Sequence, residues 1–495
     1  MTLVRREPIG PTVLLAYVSA GISQIANQAY VLLVFRCLPI ESVGLYSWAI
    51  AIATISTYAM DFGLPAFLMG ELSERRYRLR AVMQVILLTR ALALVLGVVG
   101  IAVWMSLSHP RPAEAIAVGM VTLSYTIQLV DGGLAPWFQV RQQQNALNTI
   151  GLVLPLGRLL GIGIPLSLAW KVDLTYVVVV MVAAQVVSTA GFVTFAANAA
   201  RRTPPEPGTD GARVMLRHFR ERGPRLTAMY GLMVLQARLD WLMVSAILSK
   251  VALANYSLAN RVIEFGMLLA GVLARTSFPW RSRADANDQG LRAQLAIMQR
   301  LFAWFSALLG VGLFFWVPPL VSLFFGDKYE GAATATRLMT LASPLFMLNQ
   351  YLFYMLLVRR QERSYTYLIF MTTALQAVVN LALLPRIGIA GAALGMLVTG
   401  VSLHAGQLVL LVRDKALQVG EALRLEVFLF GSAAVVTSLW LIGTGAAMGT
   451  SVALAAVVVL GAVLMLETEE RPMLPEYAIL AARRLMPRVL RPGAK

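Results

Sequence analysis

The feature that most limits the fold is a run of apolar blocks, each about 17–25 residues long, recurring along the whole chain. A block of that length matches the hydrocarbon thickness of a bilayer, where every backbone polar group must be bonded within its own segment. Only helices or closed barrels meet that condition, and blocks this long and uniformly apolar are helices. The composition agrees: 58% of the 495 residues are hydrophobic and 14% are charged. The fold class is therefore an all-α polytopic membrane protein of about 14 transmembrane helices. The spans are expected near 12–36, 44–68, 81–105, 113–138, 147–170, 174–197, 226–248, 252–278, 297–325, 332–357, 365–384, 389–412, 425–445 and 449–466.

The formal charge of +17 does not point to nucleic acid, because the positive residues gather in loops at alternate helix ends. Summed over alternate loops, about thirty Lys/Arg fall on the side of the N-terminus and roughly six on the other. That asymmetry predicts that both termini are cytoplasmic. Arg5 and Arg6 precede the first block with no small-residue cleavage site, so an uncleaved first span is expected. Cys37 is the single cysteine, which excludes a disulfide framework and a cysteine metal site. His109, His218 and His404 are far apart in sequence, against a zinc enzyme; His404 reads as a packing residue or a proton sensor.

The 198–225 connection combines TPPEPGTDGA with the basic run RHFRER, read as a solvated linker or a surface helix on anionic lipid. It divides the chain into an N-terminal six-helix lobe (1–197), a basic linker (198–225), a C-terminal six-helix lobe (226–412), an extra helix pair (413–466) and a tail (467–495). The two lobes share weak internal repeats. SVGLYSWA (Ser42 to Ala49) aligns with ALANYSLA (Ala252 to Ala259), and VRQQQ (Val140 to Gln144) with VRRQE (Val358 to Glu362). Both lobes start from the same side, so the repeat is parallel, with its pseudo-twofold along the membrane normal. Such lobes suit alternating access better than a fixed pore.

Charges inside spans cost about 2.5–3.5 kcal/mol each on insertion scales and by default face a cavity. Arg90, Arg158, Arg238, Arg261 and Arg275 form a candidate cationic path. Guanidinium holds its charge and bonds phosphate bidentately, so the class of ligand is anionic. Arg238 and Asp240 point to different helix faces, whereas Arg261 and Glu264 are i,i+3 neighbours that could neutralise one another. Asp61, Asp131, Asp240 and Glu264 are candidates for proton or sodium coupling, with Asp61 and Asp131 alternatively capping helix ends. Tyr17, Gln24, Asn27 and Gln28 form a polar stripe on the first span, a helix seam or a cavity lining. The repeat sets Gln28 opposite Arg238 and Arg158 opposite Gln376, with Asn380 one turn further on. GLVLPLGRLLGIGIPL (Gly151 to Leu166) should kink at its prolines; its glycines serve either a cavity or close packing. No P-loop, catalytic constellation or cofactor motif occurs, and the turns on the far side are short.

Four segments carry a family resemblance. They are RCLPIESVGLYSWAIAIATISTYAMDFGLPAFL (Arg36 to Leu68), ARLDWLMVSAILSKVALANYSLANRVIE (Ala237 to Glu264), FFGDKYEGAATATRLMTLASP (Phe324 to Pro344) and NLALLPRIGIAGAALGMLVT (Asn380 to Thr399). Over roughly residues 10–412 the chain resembles the polysaccharide and O-antigen flippases of the multidrug/oligosaccharidyl-lipid/polysaccharide exporter superfamily. The resemblance implies two six-helix lobes in a V and a polyprenyl-pyrophosphate-linked glycan moved across a bacterial inner membrane. It also implies glycan polymerase machinery as a partner beside membrane lipid. Many relatives have twelve spans, so the 425–466 pair is a departure. Fourteen also occur in peptidoglycan-precursor flippases, whose signature strings are not found here. The alternatives are a cation-coupled multidrug exporter on the same fold, a peptidoglycan-precursor flippase, and a membrane glycan polymerase or ligase.

Overall fold

The computed structural model describes residues 11–466 except 66, 69–78, 141–143, 203–210, 262, 265–266, 268–288, 360, 415–418 and 444. Among the described residues the chain is helical throughout, without strands. The helices are α1 (Pro11–Cys37), α2 (Ile40–Asp61), α3 (Leu79–Ser108), α4 (Pro112–Val140), α5 (Gln144–Gly151), α6 (Val153–Ser167) and α7 (Leu174–Arg202). They continue as α8 (Ala212–Ile247), α9 (250–261) and α10 (Gln289–Phe325). A 3₁₀ turn (Gly326–Ala332) precedes α11 (Ala333–Val358), α12 (Glu362–Ile387), α13 (Ile389–Arg413), α14 (Val419–Leu441) and α15 (Ala446–Leu466).

The helix ends follow local chemistry. Pro112 opens α4, where its missing N–H is no loss and its fixed φ fits the first turn. Asp173 caps α7 by accepting from the Tyr176 N–H at 2.8 Å, and Ser249 caps α9 through the Ala252 N–H at 3.0 Å. Phe62 and Gly63 both take left-handed φ and stop α2. Gly388, at φ 62°, makes the one-residue turn between α12 and α13. Eight stretches of the described chain are long and apolar enough to cross a membrane, and one, Arg300–Leu357, at 58 residues has the length for two crossings. This is a multi-pass membrane protein.

Two expectations change in detail. The basic run before the seventh span is not a separate surface helix: α8 runs unbroken from Ala212 to Ile247 through RHFRER and Pro224. Proline at 224 removes a single bond, to the carbonyl of Arg220, in a charged stretch that water can reach. The helix expected over 147–170 is two pieces, broken at Leu152 between α5 and α6. Pro155 then sits in the first turn of α6, where a proline can be accommodated.

The chain forms two compact units. The first comprises Met1–Arg261, Leu320–Met339 and Glu362–Leu403; the second comprises Val262–Pro319, Thr340–Gln361 and His404–Lys495. In the second unit the C-terminal pair packs on α10 through small-into-large contacts. Gly449 lies against Phe315, Gly461 against Trp304, and the Trp440 ring meets Phe314 edge-on at 6.1 Å. His404 is buried there with Nδ1 2.8 Å from Asn349 Oδ1.

The first unit is layered. One apolar cluster joins Val34 and Phe35 of α1, Val43 and Ala49 of α2, Val121 of α4, Val177 and Met181 of α7 and Leu258 of α9. A second joins Leu64 and Phe67, Val85 and Ile86, Leu134 and Phe138, Phe192 and Met215. Along α2, α4 and α7 alike, polar residues stand between the two: Thr54, Thr57 and Asp61; Ser124 and Asp131; Gln185, Ser188 and Thr189. Apolar packing above and below thus sets a polar stratum at mid-height.

Candidate functional site

Three groups of charged side chains occupy that stratum and the α8–α9 region. The first is a closed pair. Arg90 of α3 reaches Asp61 at the end of α2, Nη2 to Oδ1 2.7 Å, and its Nη1 donates to the Asp61 carbonyl at 3.4 Å. Arg90 is 5% exposed, so its charge is answered inside the protein rather than offered to a ligand.

The second group centres on Arg158 of α6. Its Nη2 donates weakly to Ser124 Oγ at 3.5 Å and to Gln185 Oε1 at 3.4 Å, while its buried Nε has no hydrogen-bond partner. Among the described residues no carboxylate lies within ion-pair distance of this guanidinium. It therefore keeps its net charge and unused donors within a membrane span. Close helix approach brings it there: a Cβ on Gly157 would meet that of Ala184 at 3.3 Å, and one on Gly161 would meet Val180 Cγ1 at 2.6 Å. Gly157 and Gly161 are thus packing positions, which resolves the two readings of the glycine-rich segment at those two residues. Gly151 and Gly163 meet nothing within 4 Å.

The third group surrounds Trp241 of α8, which is fully buried. Arg238 lies over the indole with Cζ 4.4 Å from the ring centroid, and Arg261 of α9 approaches the same ring at 5.9 Å and Phe35 at 5.7 Å. All three distances are in the cation–π range. Hydrogen bonds lead from the second group to α1. Ser124, which accepts from Arg158, donates to the Met181 carbonyl at 3.5 Å, and Met181 Sδ accepts from Tyr46. Tyr46 bonds Tyr30 at 3.1 Å, on the helix that carries Phe35. So Arg238 and Arg261 share the Trp241 ring, and a chain of bonds links Arg158 to the helix that Arg261 approaches.

The remaining candidates are more dispersed. Asp240 is fully buried and accepts from the Tyr256 hydroxyl and from the Trp241 N–H at 2.9 Å. Asp131 accepts from Gln185 Nε2 at 2.8 Å. Gln24, Asn27 and Gln28 are half-buried along α1; the side chain of Tyr17 lies outside the described ones. Gln376 and Asn380 are buried on α12, with Gln376 Oε1 and both amide atoms of Asn380 unbonded among the described residues. Glu264 is half-buried, and Arg275 lies outside the described residues. The five arginines therefore separate into one neutralised by Asp61, one held by neutral partners, two at the Trp241 ring, and one not described. Among the described residues no group of three or more His, Cys, Asp or Glu could hold a metal ion. The sequence reading missed Tyr30, Trp241 and Gln185. Gln185, Ser188 and Thr189 at i, i+3 and i+4 of an apolar span were a usable signal.

The fold defines a class: it is shared with multi-pass helical membrane transporters of known structure. The structure aligns with one titled lipid II flippase MurJ, inward closed conformation, at TM-score 0.69 and 12% identity, covering 94% of this chain and 100% of that one. It aligns with an inward-facing multidrug resistance MATE family transporter of the MOP superfamily at TM-score 0.61 and 12% identity, covering 81% and 98%. A MOP superfamily transporter from Pyrococcus furiosus Vc1 aligns at TM-score 0.60 and 14% identity, covering 83% and 97%. No curated protein matches the sequence. The family model described as polysaccharide biosynthesis protein matches residues 12–285, more than half of the chain, and the chain belongs to that family. By their titles these structural relatives are a lipid flippase and membrane transporters.

Proposed function

We propose that the protein flips a polyprenyl-pyrophosphate-linked oligosaccharide, an O-antigen or exopolysaccharide unit, from the cytoplasmic to the periplasmic leaflet of a bacterial inner membrane. Arg158, Arg238 and Arg261 bind the pyrophosphate, with Arg275 extending the path, and both termini are cytoplasmic. The observation that carries this reading is Arg158, an intramembrane guanidinium whose described partners are neutral and whose Nε is unbonded. A fixed cation with donors to spare is what a diphosphate needs in a medium without water. Six-helix lobes over 1–197 and 226–412 move by alternating access, and Asp131, Asp240 or Glu264 couple that motion to a proton or sodium gradient. Glycan polymerase machinery receives the product.

The pseudo-twofold reading gains support from Ser47 and Ser257. These are equivalent positions of the repeat, 210 residues apart, and they bond to each other at 2.9 Å. Contact between equivalent residues is what an axis of pseudosymmetry produces. The test of function is a lipid extract from cells lacking the protein. Accumulation of one polyprenyl-linked saccharide, reversed by the wild-type gene and not by an Arg158→Gln, Arg238→Gln double variant, is the expected result. Intact surface glycan with no accumulated lipid in a strain without a second flippase would sink the proposal. A second reading, a cation-coupled exporter like the MATE relatives, rests on the buried Asp240 and predicts loss of resistance to cationic drugs instead.

A further inference from the structure

The guanidinium of Arg158 is held by an amide, and that amide is held by an acid. Gln185 is fully buried on α7. Its Nε2 donates to Asp131 Oδ2 at 2.8 Å and to Thr189 Oγ1 at 3.1 Å, which uses both hydrogens. Its Oε1 then faces Arg158 Nη2 at 3.4 Å. The assignment of oxygen and nitrogen in this amide is fixed by chemistry. A flip would set Oε1 against a carboxylate that only accepts and Nε2 against a guanidinium that only donates.

We propose that Gln185 and Asp131 are positioning residues that aim Arg158 at the anionic ligand while leaving its charge unspent. The inference rests on the reading of Arg158 given above. An acid touching Arg158 directly would pair with it and cancel the positive charge, as Asp61 does for Arg90. One amide inserted between acid and base transmits orientation without neutralising contact. The other charged pair nearby does not compete for this role: Arg90 packs beside Gly133, two residues from Asp131, but is engaged with Asp61. Thr189 completes the set by accepting from Gln185, and the described hydrogen bond of the acid is the one from Gln185 on α7.

The experiment uses the full chain in lipid nanodiscs, with a sugar-free polyprenyl pyrophosphate as probe and the uncharged polyprenol as control. Binding and thermal unfolding are measured for wild type, Arg158→Gln, Gln185→Glu, Asp131→Leu and Asp131→Glu. Gln185→Glu is isosteric and adds an ion partner for Arg158, but it sets its second oxygen against the Asp131 carboxylate. It is therefore read beside Gln185→Glu, Asp131→Asn, in which the asparagine amide donates to that oxygen. Both should weaken pyrophosphate binding about 10- to 100-fold, the size of a lost charge-assisted interaction, without changing polyprenol binding, and the double variant should keep the wild-type melting temperature. Asp131→Leu should weaken it similarly and Asp131→Glu should recover most of the affinity. A merely structural role predicts the reverse for Gln185→Glu, unchanged binding with a new internal ion pair. Loss in Arg158→Gln with full binding in both Gln185→Glu and Asp131→Leu overturns the relay alone. Equal binding by wild type and Arg158→Gln overturns the functional reading and the relay with it.

Discussion

Replacing Gly44 by alanine tests whether α2 and the α8–α9 turn meet as closely as the structure places them. A Cβ there would lie 1.9 Å from the Lys250 carbonyl oxygen, 2.5 Å from its carbon and 3.0 Å from its Cα. All three are backbone atoms, so no rotamer change relieves the contact. Restoring an ordinary separation requires α2 to withdraw by more than an ångström. The same movement would stretch the Ser47–Ser257 bond from 2.9 Å and lift Trp48 from the Lys250 ammonium, which sits 3.4 Å from its ring centroid. Alanine is the better helix former by about 1 kcal/mol. Against that stand overpacking at about 1–3 kcal/mol and a buried hydrogen bond worth about 1 kcal/mol. The balance is a net loss of about 1–3 kcal/mol. Thermal unfolding in detergent, followed by tryptophan fluorescence, should show a lowered midpoint. A Gly44→Ala protein as stable as wild type would refute the close contact and with it this account of the seam.

Removing one partner of the buried ion pair, Arg90→Leu, should cost about 3–5 kcal/mol by leaving Asp61 uncompensated. Adding Asp61→Leu should recover most of it in a double-mutant cycle of melting temperatures. Gly161→Ala sets a methyl 2.6 Å from Val180 Cγ1 and should part α6 from α7, weakening pyrophosphate binding more than it lowers the midpoint. Lys250, in the turn joining α8 and α9, has its pKa lowered to about 8 by desolvation, partly offset by Glu114. Between about 8 and the unfolded value near 10.5 the unfolded chain binds more protons, so stability rises with pH through that window. Melting curves across it should steepen for wild type relative to Lys250→Met; parallel curves would remove Lys250 as the cause.

Much of the architecture could be read from the sequence because the bilayer permits so few solutions. Block length identifies the spans, and the Ser42 and Ala252 strings mark positions that the Ser47–Ser257 contact brings together. What could not be read is which charges cancel. Arg90 and Arg158 look alike as lone arginines in apolar blocks; the difference arises because α3 passes the end of α2, where Asp61 stands, whereas α6 passes an amide. Such partners are chosen by helix packing, which depends on small residues such as Gly157 and Gly161 and not on the charges themselves. Trp241 escaped for a related reason. In an apolar span an aromatic residue counts as core until the structure shows a guanidinium beside it.

The repeat itself makes one further comparison possible, because it carries the same bonding pattern with different chemistry. Tyr46 bonds Tyr30 at 3.1 Å and points its hydroxyl at Met181 Sδ, 3.8 Å away. Its equivalent, Tyr256, donates to Asp240 and points at Met396 Sδ, 3.9 Å away. The 210-residue offset of Ser47 and Ser257 also carries Tyr30 onto Asp240 and Gln28 onto Arg238. One half therefore holds neutral groups where the other holds an acid and a base, on a shared geometric frame. Tyr46→Phe loses a hydrogen bond between neutral groups, about 0.5–1.5 kcal/mol. Tyr256→Phe strips a donor from a fully buried carboxylate, and bonds to charged groups are worth about 1.5–3 kcal/mol. The second variant should melt distinctly lower than the first. Adding Asp240→Asn should narrow the gap, because the charge that made the donor necessary is gone. Equal midpoints for the two phenylalanine variants would mean that Asp240 does not depend on Tyr256 as a charged acceptor, and the contrast between the halves would then be steric rather than electrostatic.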